Sequence, residues 1–64
     1  MNEKHYYEAR PASKGMFVGV VYHWDTSGNI ELIDCRTDPC PTQREAIEAA
    51  SDWAEKNEIE AELA

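Results

Sequence analysis

Met16-Phe17-Val18-Gly19-Val20-Val21-Tyr22-His23-Trp24 is the stretch on which the fold turns. It is dense in β-branched and aromatic residues and interrupted by one glycine, as a central strand covered on at least one face should be, and it predicts a strand over about 16–25. Upstream, Lys4 to Arg10 alternates His5, Tyr7 and Ala9 against Tyr6, Glu8 and Arg10, predicting a strand over about 4–10. Pro11-Ala12-Ser13-Lys14-Gly15 supplies turn chemistry between the two. Downstream, Asp25-Thr26-Ser27-Gly28-Asn29 offers Gly and Asn for positive φ. Ile30 to Cys35 then reads as a third strand, about 30–36, joined through a four- or five-residue hairpin loop.

Beyond the strands, Asp38-Pro39-Cys40-Pro41 blocks both helix and ladder continuation, because each proline lacks an N–H and biases its predecessor toward extended backbone. A helix over about 42–57 follows. Thr42 with Glu45 three positions on matches the capping box, in which hydroxyl and carboxylate each accept from an orphan backbone N–H. At 100° per residue, Ala46, Ile47, Ala50, Trp53 and Ala54 form one apolar face with Trp53 as its anchor, opposite Glu45, Glu48, Asp52 and Glu55. Asn57 is the expected left-handed stop. Residues 58–64 break the pattern; Ile59 and Leu63 either cover a sheet edge, form a separate helical turn or fray. The expected fold is α+β: one small domain, 1–64, with a three-stranded antiparallel meander packed against one C-terminal helix, β-β-β-α.

A chain of 64 residues buries only about 60% of its accessible surface on folding, so a deep cleft is not expected. Its formal charge of −7 is lopsided: residues 1–32 carry three bases and four acids, residues 33–64 three bases and nine acids. Such a field repels nucleic acid and anionic membrane and is drawn to basic surfaces, including the Lys/Arg-lined grooves that hold DNA or RNA. No signal-like start and no apolar run near 18 residues is present, so the chain reads as cytoplasmic, with Cys35 and Cys40 as reduced thiols by default and a disulfide across their short loop as the alternative.

Catalytic and metal motifs do not emerge. Cys35 or Cys40 with His23 would make a thiol/imidazole pair, but a packing or loop thiol is the simpler reading. The two cysteines and two histidines lack the paired spacing of a structural zinc knuckle, so neither a metal nor another cofactor is expected. His23 is expected on a strand face, half-buried and hydrogen-bonded. Glycines 15, 19 and 28 are isolated and build no phosphate loop.

The helical acids carry the functional reading. From Glu45 to Ala64 there are seven acids and one base, Lys56, with Asp52/Lys56 the single favourable pair. Five like-charge neighbours (Glu45/Glu48, Glu48/Asp52, Asp52/Glu55, Glu55/Glu58, Glu58/Glu62) oppose the helix by about 1 to 2.5 kcal/mol. Glu58, Glu60 and Glu62 would also sit at the negative end of the helix dipole. A solvated face is the plain alternative, since acids keep a small domain soluble, but ordinary surfaces mix the signs. Carboxylates every three or four residues stand about 5 to 6 Å apart, a spacing comparable to successive phosphates, although B-DNA is denser at one charge per about 1.7 Å. Glu45, Glu48, Asp52 and Glu55, extended by Glu58 and Glu62, are therefore the expected partner-binding residues.

A small, acidic, signal-free chain with a β-meander and a carboxylate-rich helix resembles the phage and mobile-element inhibitors known as anti-CRISPR proteins, and its outline is similar to those acting on type I-C effector complexes. The resemblance rests on size, charge and outline across all 64 residues, and it transfers no site residue. It implies a non-enzymatic, monomeric inhibitor, acting in a bacterial cytoplasm, that binds the large or backbone subunits of a surveillance complex and prevents target DNA from entering. The alternative is an accessory interaction or dimerisation domain acting through an aromatic sheet face of Tyr6, Tyr22 and Trp24, with the acids merely solubilising. A thiol or metal enzyme ranks third.

Overall fold

In the computed structural model, which describes residues 4–64, the chain folds as α+β, with one helix against a four-stranded mixed sheet. The elements are β1 (His5–Pro11), a 3₁₀ turn (Ser13–Gly15), β2 (Phe17–Trp24), β3 (Glu31–Arg36), α1 (Gln43–Lys56) and β4 (Ala61–Leu63), and the sheet order is β3-β2-β1-β4.

β2 is flanked on both sides along its length. It pairs antiparallel with β1 from His5↔His23 to Pro11↔Phe17 and antiparallel with β3 on its other side. Lys14 and Gly15 take positive φ (60° and 71°) to reverse the chain between β1 and β2. Between β2 and β3 the connection spans residues 25–30, longer than the expected four or five. Asp25 organises it. Its carboxylate accepts from the Ser27 hydroxyl (2.8 Å) and from the N–H groups of Asn29 (3.1 Å) and Ile30 (3.3 Å), which holds the carboxyl below its ordinary range.

After β3 the prolines interrupt the ladder without ending it. Thr37 donates its N–H to the Gly19 carbonyl and accepts the Gly19 N–H on its hydroxyl, both at 2.8 Å. Cys40, between Pro39 and Pro41, then makes an isolated antiparallel bridge to Phe17. The helix begins at once. Thr42 Oγ1 accepts from the Glu45 N–H at 3.2 Å, so the Thr half of the capping box forms; no bond from the Thr42 N–H to the Glu45 side chain is found among the described residues.

The helix rests on alanine rather than on Trp53. Ala46, Ala50 and Ala54, at i, i+4 and i+8, are its buried residues, while Ile47 and Trp53 flank that row half-buried. Small side chains are required because α1 crosses β2 directly above Gly19, so close that a Cβ built there would run into the Ala46 carbonyl. Val21, Ala50 and Ala54 form the centre of the core, joined by Tyr7, Cys35, Trp53, Ile59 and Ala61.

Two expectations are corrected here: the sheet has four strands, one of them parallel, and the helix is not the last element. α1 ends in a Schellman motif, with the Ile59 N–H on the Ala54 carbonyl (2.9 Å) and the Glu58 N–H on the Glu55 carbonyl (3.1 Å). Asn57 is the cap at φ −99°, and the left-handed residue is Glu58 at φ 57°. This reversal returns Ile59 to the core and leads residues 61–63 along the free edge of β1, parallel to it, from His5↔Ala61 to Tyr7↔Leu63. Of the two apolar tail residues, Ile59 packs and Leu63 stays exposed.

Candidate functional site

Three surfaces carry chemistry: the outer face of α1, the sheet face away from it, and a titratable cluster where β1, β2 and β3 lie side by side.

On α1, Glu45, Glu48, Asp52 and Glu55 are all exposed, on the side of the helix away from the buried alanines. Arg44, just before the acidic run, reaches Glu48 with Nε 3.4 Å from Oε1, whereas the pair expected between Asp52 and Lys56 does not form. Glu45, Asp52 and Glu55 have no ion-pair partner among the described residues. The proposed extensions part company with this face: Glu58 sits in the left-handed turn, and Glu62 lies on β4, 3.9 Å from Lys4. Glu60 is likewise beyond the helix. The continuous stripe is thus the four helical residues alone.

Residue parity along β2 places Gly19 and Val21 under the helix and Val20, Tyr22 and Trp24 on the opposite face. That face is closed by charge. Arg10 is held by Glu31 through both terminal nitrogens and by Glu8 through Nε (2.5 Å), and its guanidinium carbon lies 5.2 Å from the centroid of the Tyr22 ring. The two carboxylates push the Arg10 pKa further up, and the same guanidinium pulls the Glu31 carboxyl below its ordinary range. Tyr22 is only 7% exposed beneath this lattice, and burial raises its phenol. An aromatic interface through Tyr6, Tyr22 and Trp24 therefore loses its middle member, because Tyr22 is packed in an edge-on contact with Trp24 and a tilted one with Tyr6. Trp24, 45% exposed, instead joins Ile30, Leu32 and Ile33 as exposed apolar residues at the β2–β3 end.

The third surface was not foreseen from sequence. His5 and His23 are register partners on β1 and β2, with ring centroids 4.9 Å apart. Asp34 joins them through a β-bulge: β2–β3 register passes from Val21↔Cys35 to Tyr22↔Ile33, leaving Asp34 as the extra residue. Simple alternation would set Asp34 on the face opposite Cys35, but a bulge re-aims the residue it inserts. Asp34 Oδ2 consequently lies 2.7 Å from His23 Nδ1 and 3.8 Å from His5 Nε2, with the two imidazoles half-buried and Asp34 exposed.

Both cysteines are free. Burial, then the neighbouring Asp34 charge, raises the Cys35 thiol above its ordinary value, the opposite of what an activated nucleophile needs. Cys40 Sγ is 3.4 Å from the Asp38 carbonyl oxygen, a loop contact. Among the described residues no helix is long and apolar enough to cross a membrane. Set against known proteins, the chain matches no family model, no curated protein and no solved structure.

Proposed function

We propose that this protein is a non-enzymatic inhibitor that lays the acidic face of α1 into a basic, nucleic-acid-binding groove of a larger protein and excludes the natural ligand. One observation carries the reading: Glu45, Asp52 and Glu55 project from one face of a regular helix into solvent with no cation among the described residues answering them. Holding such charges together opposes the helix, and a cationic partner would relieve the repulsion while gaining from release of its counterions. The resemblance to anti-CRISPR proteins makes a CRISPR effector complex, in a bacterial cytoplasm, the first partner to test, with the inhibitor acting as a monomer.

The experiment is competition between the protein and target DNA for a purified effector complex over a salt series. Inhibition should weaken steeply as salt rises, and the double reversal Asp52→Lys with Glu55→Lys should abolish it. Inhibition indifferent to both treatments, or none at low salt, refutes the proposal.

The exposed pair Trp24 and Ile33, on one face of the sheet, favours a second reading, a docking or dimerisation surface at the β2–β3 end. Sedimentation separates the two. A dimer dispersed by Trp24→Ala with Ile33→Asp and unaffected by reversal of the acids supports the second reading.

A further inference from the structure

We propose that His5, His23 and Asp34 form a binding site for a divalent first-row transition metal ion, held by two imidazole nitrogens and one carboxylate oxygen. The ligating atoms of the three residues all lie within 4.8 Å of one another. Around a four-coordinate zinc ion, bonds of about 2.0 to 2.2 Å place neighbouring ligand atoms about 3.4 Å apart. The observed separations of 2.7 Å (His23 to Asp34) and 3.8 Å (His5 to Asp34) straddle that value, and with all three ligating atoms within 4.8 Å of one another the side chains need only draw together around the ion.

The donor set decides the class of ion. Imidazole suits zinc, copper, nickel and iron, whereas calcium and magnesium call for oxygen ligands throughout. Three protein ligands leave at least one coordination position for water. The scaffold is suited to precision, because each ligand stands on a different strand of one hydrogen-bonded sheet. The β3 bulge supplies the third. An imidazole pair alone would be a common cross-strand contact; a bulge that adds a carboxylate oxygen to both rings makes a converging N₂O set. Ligation needs neutral imidazoles and an ionised carboxylate, so binding should weaken in acid. The site is independent of the acidic helix, and either assignment stands if the other fails.

The test is titration of the intact chain with Zn²⁺ by calorimetry and with Co²⁺ by visible absorption. One ion should bind per chain. The cobalt spectrum should show the d–d bands of a nitrogen/oxygen centre without the near-ultraviolet band of a thiolate, which excludes Cys35 and Cys40. His5→Ala should weaken binding by about 100-fold or more, above the 10- to 100-fold expected for a residue acting only from the outer shell. The variant Glu48→Gln with Asp52→Asn should leave binding unchanged. In the unsubstituted protein, Zn²⁺ should shift the ring resonances of His5 and His23 together, a readout that does not depend on any variant folding. Absence of saturable one-to-one binding, a thiolate band, or ring signals unmoved by zinc overturns the assignment.

Discussion

Gly19 lies directly beneath Ala46, so that the backbone of α1 passes over β2 with no room for a methyl group. A Cβ at position 19 would also come to 3.0 Å from the Ala50 Cβ. Gly19→Ala must lift the helix from the sheet and open the Val21–Ala50–Ala54 centre. The expected loss is about 2 to 3 kcal/mol. Urea unfolding monitored by far-UV circular dichroism measures it, and a change below a few tenths of a kcal/mol would contradict the close crossing.

Glu58 occupies the left-handed position of the Schellman turn, where glycine is preferred and a Cβ is disfavoured by about 1 to 2 kcal/mol. It also places a carboxylate at the negative end of the helix dipole. Glu58→Gly should stabilise the fold by about 0.5 to 1 kcal/mol after the greater freedom of glycine in the unfolded chain is subtracted. A raised thermal midpoint is the outcome to look for.

Arg10 covers Tyr22 and joins Glu8 to Glu31. Arg10→Ala should cost about 1 to 2 kcal/mol through the lost cation–π contact and ion pairs. Because Arg10 holds the folded Glu31 carboxyl below its ordinary range, that part of the stability is complete above the unfolded carboxylate pKa and is lost as pH falls through the folded one. Unfolding curves at neutral and acidic pH should therefore differ more for the parent than for Arg10→Ala.

Tyr22 should ionise above the ordinary tyrosine range, since burial raises its phenol. The unfolded chain releases this proton first, so stability should decline as pH climbs beyond the normal tyrosine range. A spectrophotometric tyrosinate titration of the parent and of Tyr22→Phe checks it, the difference between the two curves giving the Tyr22 step.

The strand and helix cores are legible in the sequence because their signals are local: the apolar run from Met16 to Trp24, the turn residues on either side of it, and Thr42 with Glu45. The hairpin even contains the His5–His23 pair. Once the turn is centred near residue 14, partners sum to 28, and 5 falls opposite 23. Asp34 is another matter, since alternation gives it one face counted from Leu32 and the other counted from Cys35, and only the bulge, a compromise between two strands, decides between them. Trp53 looks like the helix anchor by size, yet the approach over Gly19 hands that role to three alanines. β4 is hidden for a similar reason. Three residues carry no periodicity worth the name, and their pairing depends on an edge that exists only after β1 and β2 have met.

That late strand governs how the sheet meets other chains. β4 occupies the outer side of β1 along His5–Tyr7, leaving Glu8 to Pro11 without a strand neighbour there among the described residues. Remove it, and the whole of β1 would present a bare row of amide and carbonyl groups, the template on which strands from separate molecules assemble. The cover is formed by residues 56 positions apart in the chain, His5 and Ala61, so its closure carries the largest loop entropy of any pairing in the sheet. The three residues of β4 are thus what shields that flank from other copies of the chain.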